Sequence, residues 1–135
     1  MDALYPRLLV DDFEPAARFY AAALRELLGI EPVKLLPAAE YANWDLGGEG
    51  ALVVMGRARI AEAVGSADPA QRDSAGRDAA MLVFRVDDVG AAAKTLAGLG
   101  ATPVAGARDR PEWGPGLRTA HLRDPAGNLL ELQSY

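Results

Sequence analysis

Residues 8–20, LLVDDFEPAARFY, decide the fold, because a similar stretch, VFRVDDVGAAAKTL, returns at residues 83–96. In both stretches an alternating apolar segment ends at Val-Asp-Asp, and apolar residues at helical spacing follow. The copies continue alike, with LGIEPV at 28–33 and LGATPV at 99–104. Self-similarity of this kind predicts a duplicated supersecondary unit.

Each copy is predicted to hold one strand, one helix and three further strands. The aspartate pairs cap the helices and complement their dipoles, and Gly29 and Gly100 stand where the helices stop. Further strands are predicted at 32–36, 40–46, 50–56, 102–106, 117–123 and 128–133. The result is an α+β fold.

The predicted organisation is a single domain, 1–135, built from two βαβββ modules. Module one spans residues 1–56 and module two spans 80–135. The small, polar, turn-rich segment 57–79 predicts a linker, with one helical turn near 60–64.

Composition limits the functional classes. The net charge is −5 and no basic stripe is present, so we expect no nucleic-acid partner. No apolar run approaches the ~20 residues of a membrane span, and the first residues lack a signal pattern, so we expect a cytoplasmic protein without a membrane partner. The absence of cysteine excludes disulfides and thiolate chemistry.

The last predicted hairpin separates apolar from polar side chains. RDPAGN at 123–128 has the residues of a tight turn. Alternation about this turn puts four side chains on the face that a helix must cover: Ala120, Leu122, Leu130 and Leu132. The opposite face receives Thr119, His121, Glu131 and Gln133, and opposed pairs on such strands lie ~5 Å apart. The first strands of the two modules add Tyr5, Arg7, Met81, Val83 and Arg85 to the corresponding face.

These segments resemble the vicinal oxygen chelate superfamily, which includes glyoxalase I, extradiol dioxygenases and bleomycin-resistance proteins. The resemblance is carried by VDDFEPAARFY with LGIEPV, by FRVDDVGAAAKTLAGLGATPV, and by LRDPAGNLLEL. It implies a curled mixed sheet around a ligand cleft, usually in a homodimer.

The resemblance also implies four positions at which metal-using members carry ligands. Here these positions hold Tyr5, Met81, Glu131 and either Val53 or Val54, so only Glu131 fits. His121, the only histidine of the chain, precedes Glu131 by one strand and raises the count of ligands to two. Three or more protein ligands are the norm for a transition metal, so we expect no metal and no other cofactor.

Two classes of function remain, besides a dimer without ligand chemistry. The first is metal-independent binding of a small organic molecule, as in bleomycin-resistance proteins. Its predicted ligand-binding residues are Tyr5, Arg7, Met81, Val83, Trp113, Thr119, His121, Glu131 and Gln133. The alternative is a glyoxalase-like lyase or isomerase, or a related enzyme, with His121 as general base and Glu131 as its orienting partner.

Several side chains have a second interpretation. Trp113, in a Gly/Pro-rich loop, suits either a ligand surface or a dimer interface. Trp44 is expected to pack in the core. Arg7 and Arg85 are able to bind a carboxylate, but arginine outnumbers lysine twelve to two, which favours ordinary surface residues.

Overall fold

The computed structural model describes residues 4–64, 78 and 80–135. Contacts divide the chain after residue 72 into two compact units. The first unit contains residues 4–64 of the described chain, and the second contains residue 78 and residues 80–135. Most of the predicted linker lies outside the described residues.

The first unit contains the predicted strand–helix–three-strand order. Its elements are β1 (Arg7–Val10), α1 (Phe13–Leu28), β2 (Lys34–Leu36), a short 3₁₀ helix (Pro37–Ala39), β3 (Tyr41–Leu46), β4 (Glu49–Gly56) and α2 (Arg57–Val64). The strands lie in the order β1-β4-β3-β2, with β1 parallel to β4 and the other pairs antiparallel.

The second unit repeats this arrangement. Its elements are β5 (Met81–Arg85), α3 (Val89–Gly98), β6 (Thr102–Asp109), β7 (Arg118–Arg123) and β8 (Leu129–Ser134). The sheet order is β5-β8-β7-β6, and β5 is parallel to β8. The α+β fold and the βαβββ composition of each module are therefore confirmed.

Three details differ from the sequence-based expectation. Asp12 makes no side-chain cap hydrogen bond to the described residues, so only the second aspartate pair caps its helix through a side chain. Alternation extended back from Val10 through Leu8 puts Leu4 on the helix-covered face, but Leu4 is 98% exposed, because β1 begins only at Arg7. The helical turn expected near 60–64 is a longer helix, α2, which begins directly after β4 at Arg57.

Each sheet is covered by its own helix on one face. In the second unit α3 packs on β6, β7 and β8. Its buried side chains are Val89, Ala92 and Leu96. The four strand residues predicted for the helix-covered face are all buried: Ala120, Leu122, Leu130 and Leu132. In the first unit Trp44 is fully buried, as expected of a core residue.

The last hairpin is held by Asp124, which is buried. One carboxylate oxygen accepts hydrogen bonds from the backbone N–H groups of Ala126 and Asn128, at 2.9 and 2.8 Å. The other accepts a hydrogen bond from the side-chain amide of Asn128 at 2.9 Å. Gly127 has φ 94°, a conformation that glycine adopts without steric strain.

Within the described residues, no helix is long and apolar enough to cross a membrane.

The two helix N-termini provide a matched test of capping. The Asp88 carboxylate accepts a hydrogen bond from the backbone N–H of Ala91 at 3.0 Å, whereas Asp12 makes no side-chain cap bond to the described residues. We expect Asp88→Ala to lower the free energy of unfolding by about 1 kcal/mol. Asp12→Ala removes only a favourable charge at the helix dipole and is expected to cost less. Urea unfolding of both variants measures the difference, and equal losses would contradict the assignment.

A second prediction concerns pH. Both guanidinium Nη atoms of Arg123 bond the carboxylate of Asp78, at 2.7 and 2.8 Å, and this contact holds the pKa of Asp78 below its ordinary value of 3.8. An acid whose pKa is lower in the folded state than in the unfolded state stabilises the fold at pH values above its unfolded-state pKa. This stabilisation is lost as the pH falls through the folded-state pKa. Asp78→Asn is therefore expected to lower the free energy of unfolding at pH 7, with a difference from wild type that shrinks below pH ~4.

The matched control for this pH experiment is Asp109→Asn, because Asp109 pairs with Arg118 through side chains that are 78% and 44% exposed. Exposed pairs of this kind contribute little, so we expect a smaller change at pH 7. Chemical unfolding at pH 7 and pH 3 provides the measurement. A difference between wild type and Asp78→Asn that does not vary with pH is incompatible with the prediction.

Candidate ligand-binding site

Glu131 lies near the centre of the second sheet, on β8 between β5 and β7. In the β-ladder it is aligned with Val83 of β5 on one side and with His121 of β7 on the other. Because side chains alternate along a strand, Glu131 points away from the face on which Leu130 and Leu132 are buried. We call this opposite surface of β5, β7 and β8 the polar face.

A hydrogen-bonded dyad occupies the middle of the polar face. His121 Nε2 lies 2.9 Å from Glu131 Oε1, and the two side chains are only 13% and 10% exposed. The amide Nε2 of Gln133 donates to the second oxygen, Glu131 Oε2, at 2.8 Å. Both carboxylate oxygens therefore have donors, and the carboxylate is held in one orientation.

The dyad defines which nitrogen of His121 is available to a ligand. A carboxylate accepts hydrogen bonds, so Nε2 is the nitrogen that carries a proton toward Glu131. Nδ1 has no hydrogen-bond partner among the described residues. In the neutral imidazole this atom accepts a hydrogen bond or a proton, and in the imidazolium it donates one. The arrangement suits either ligand binding or proton transfer.

The loop 110–117, between β6 and β7, brings Trp113 to the dyad. The loop is closed by backbone hydrogen bonds: Arg110 N–H donates to Leu117 C=O at 2.8 Å, and Trp113 and Gly114 N–H donate to Arg110 C=O at 3.0 and 3.2 Å. Gly116 has φ 72°, a conformation that few other residues adopt. The loop thus has a defined conformation, which fixes the position of the indole.

Trp113 contacts both His121 and Arg110. The indole and imidazole rings meet edge to face, with centroids 6.3 Å apart and an interplanar angle of 80°. The guanidinium carbon of Arg110 lies 4.3 Å from the indole centroid. Arg110 Nε also donates to Thr119 Oγ1 at 3.1 Å, and Thr119 is fully buried. Trp113 itself is 54% exposed, so much of the indole is open to a ligand.

The first strand of this unit adds apolar groups beside the dyad. Met81 and Val83 alternate along β5 with the half-buried Leu82 and Phe84, and they are 40% and 50% exposed. Arg85 is aligned with Gln133 in the β-ladder, and its guanidinium carbon lies 4.3 Å from the ring centroid of Tyr135. The structure therefore brings together the predicted residues of the second module.

Tyr5 and Arg7 lie in the first unit. Tyr5 precedes β1, with its ring against the backbone of Gly50, and Arg7 Nη1 lies 3.9 Å from the Met55 sulfur. Arg7 is aligned with Val53 of β4 just as Val83 is aligned with Glu131 of β8. Val53, rather than Val54, is therefore the counterpart of Glu131. The role of Tyr5 and Arg7 in ligand binding stays a prediction.

The residues of the second unit do not form a metal site. Among the described residues no group of three or more His, Cys, Asp or Glu side chains is close enough to hold an ion. Glu131 and His121 bond each other and provide two ligands, fewer than transition-metal sites normally take from protein. The donor set does not fit the metal that chelating members of the superfamily carry.

Sequence reasoning did not identify Arg110 as a site residue. Its position follows from the backbone turn of loop 110–117, which places residue 110 beneath the indole of residue 113. The available signal was an arginine three residues before a loop tryptophan, a spacing that brings two side chains together only when the loop turns.

The family model for the glyoxalase-like domain matches residues 7–133. Among curated proteins, the chain is 34% identical over 132 residues to the uncharacterized protein YraH of Bacillus subtilis (strain 168), covering 98% of this chain and 97% of that protein.

Solved structures show the same fold. A glyoxalase-related enzyme from Fulvimarina pelagi matches with a TM-score of 0.76 and 22% identity, over 100% of this chain and 88% of that chain. A glyoxalase/bleomycin resistance protein/dioxygenase from Nocardioides matches with a TM-score of 0.70 and 20% identity, over 100% and 83% of the two chains. With the duplicated βαβββ modules and a family match over nearly the whole length, the chain belongs to the glyoxalase-like domain family of the vicinal oxygen chelate superfamily.

Proposed function

We propose that this protein binds a small organic molecule, without a metal, on the polar face of its second unit. One observation carries the proposal: a buried carboxylate orients His121, whose Nδ1 has no partner among the described residues and whose ring meets the exposed indole of Trp113 edge to face. An aromatic surface next to a few oriented polar atoms is the usual composition of a small-molecule site.

The proposed contacts divide into two groups. Trp113, Met81 and Val83 provide apolar surface, because each is about half exposed. His121 provides a directed hydrogen bond through Nδ1. Glu131, Gln133 and Thr119 act chiefly by holding His121 and Arg110 in place, since their polar atoms are engaged in hydrogen bonds within the site.

Metal independence rests on the state of Glu131. Both oxygens of this carboxylate already accept a hydrogen bond, from His121 and Gln133, so an ion at Glu131 would have to share these oxygens or displace a donor. Losing hydrogen bonds in a buried site is costly unless the ion replaces them with a full set of ligands.

A catalytic role is the second candidate, and the same dyad supports it. Carboxylate–imidazole pairing at 2.9 Å fixes the tautomer of His121 and stabilises the imidazolium, which is what a general base requires. In this case the protein would be a glyoxalase-like lyase or isomerase, or a related enzyme, acting on a carbonyl-containing or epoxide substrate. His121 Nδ1 would accept the proton, and Glu131 would be its positioning residue.

The proposal also includes a homodimer with no nucleic-acid or membrane partner. The family resemblance supports the dimer, and the net charge of −5 weighs against a polyanionic partner. Light scattering at several protein concentrations measures the mass directly.

Binding is tested first by a thermal-shift screen against S-alkyl glutathiones, bleomycin-type cationic antibiotics, aromatic acids and transition-metal salts. We expect an organic compound at 100 times its Kd to raise Tm by about 5–10 °C, because it binds only the native state. The shift should survive treatment with EDTA.

Trp113→Ala and His121→Ala should each weaken the binding of that compound by about tenfold, whereas Arg118→Ala on the exposed strand end should not. A compound that needs a metal, or that neither variant affects, overturns the proposal.

Turnover separates the binder from the enzyme. For the binder we expect wild-type protein to leave carbonyl and epoxide compounds unchanged, and His121→Ala to reduce affinity only. For the enzyme, the same variant should lower kcat by about 10²–10⁴-fold with little change in KM, since general-base catalysis contributes that much. Glu131→Gln serves as the companion variant, because it keeps a hydrogen-bond acceptor near His121 but removes the charge. Turnover by the wild type that His121→Ala abolishes would replace the binding proposal with the catalytic one.

A further inference from the structure

Arg110 has a fixed guanidinium with two unpartnered nitrogens. Its Nε donates to Thr119 Oγ1 at 3.1 Å, and its guanidinium carbon lies 4.3 Å from the indole centroid of Trp113. In the part of the chain that the structure describes, neither Nη1 nor Nη2 of Arg110 has a hydrogen-bond or ion-pair partner. With the Nε edge occupied, the Nη1/Nη2 edge is the one available for a second, bidentate contact.

The orientation of this edge is established before any ligand binds. The buried hydroxyl of Thr119 holds one side of the guanidinium, and backbone hydrogen bonds from Arg110 N–H and to Arg110 C=O hold the main chain of the loop. Ordering an arginine normally costs side-chain entropy, so a guanidinium that is already ordered loses less on binding.

The arginines of the second unit differ in their pairing. Arg118 and Arg123, at the ends of β7, each form an ion pair with an aspartate. In contrast, Arg85, Arg108 and Arg110 contact no carboxylate among the described residues. Arg108 and Arg85 are aligned in the β-ladder through Thr119 and Gln133, so they lie in one row across the sheet.

Local charge therefore favours an anion on a chain that is acidic as a whole. The net charge is −5, yet Arg85 on β5, Arg108 on β6 and Arg110 in loop 110–117 form no ion pair within the described residues. The polar face and the loop have two carboxylates: Glu131, which already bonds His121 and Gln133, and the exposed Glu112. Unpaired cations that surround a partly enclosed site attract ligands of opposite charge.

We propose that the small molecule bound at this site is an aromatic carboxylate. Its carboxylate group accepts two hydrogen bonds from Nη1 and Nη2 of Arg110, and its ring lies against the exposed part of Trp113, next to His121 Nδ1. The proposal rests on the proposed function, and it adds the charge and shape of the ligand and the residue that selects them.

Three probes with the same ring system test the charge: 2-naphthoate, 2-naphthamide and 2-naphthamidine, which are an anion, a neutral compound and a cation. The readout is the indole N–H resonances in ¹H–¹⁵N NMR spectra of the full chain, which has two tryptophans. Trp44→Phe assigns the two peaks. Because Trp44 is fully buried in the first unit, its peak is the internal control.

We expect naphthoate to shift the Trp113 peak with a Kd at least about tenfold lower than that of naphthamide, because a bidentate charge-assisted contact contributes at least this much. Naphthamidine should bind most weakly. Arg110→Gln and Arg110→Lys should both bring naphthoate to the affinity of naphthamide, since lysine keeps the charge but loses the paired donors. Arg118→Gln, whose guanidinium is exposed and paired, should leave the preference unchanged.

The possible failures are distinguishable. Equal affinities for naphthoate and naphthamide in the wild type, or a preference that survives in Arg110→Gln, would refute the carboxylate assignment and leave the binding function intact. If none of the three probes moves the Trp113 peak at millimolar concentration and the broader screen finds no compound sensitive to Trp113, both proposals are wrong. An unchanged Trp44 peak in the Arg110 variants verifies that the first unit remains folded, and circular dichroism verifies the second.

Discussion

The register between β7 and β8 is the constraint on which the candidate site depends. A slip of β8 by one residue against β7 would turn Glu131 toward α3, away from His121, and place Leu130 on the polar face. Asp124 prevents this slip, because its carboxylate bonds the backbone N–H groups of both Ala126 and Asn128 and so sets the length of the turn. The histidine–carboxylate pair is thus a consequence of turn chemistry several residues away.

Much of this organisation could be predicted from the sequence, because it depends on short-range patterns. The turn residues at 123–128 and the alternation on either side place His121 opposite Glu131, and the repeated Val-Asp-Asp places a helix after each first strand. Contacts that depend on an irregular backbone could not be predicted. Arg110 reaches Trp113 and Thr119 only because loop 110–117 folds back on itself.

The two units show how one topology supports different chemistry. The registers are equivalent, so Val53 corresponds to Glu131, and Asn43, aligned with Val53, corresponds to His121. The first unit therefore has an apolar group and an amide where the second has an acid and an imidazole. Asn43 Oδ1 is buried without a partner among the described residues, so even this position keeps an unsatisfied acceptor. The ambiguity between Val53 and Val54 in the sequence was resolved by strand pairing, which sequence alone does not give.

The alternation along β7 and β8 has a consequence for how such a protein changes during evolution. Ala120, Leu122, Leu130 and Leu132 are at most 1% exposed and form the packed layer, while the intervening positions hold the histidine, the acid and the amide. Under the proposed function, substitutions at the intervening positions would alter ligand preference without opening cavities beneath α3. The residues that would contact a ligand and the residues that form the core thus occupy different positions in the same two strands. Selection is therefore able to change the first set while the second is conserved.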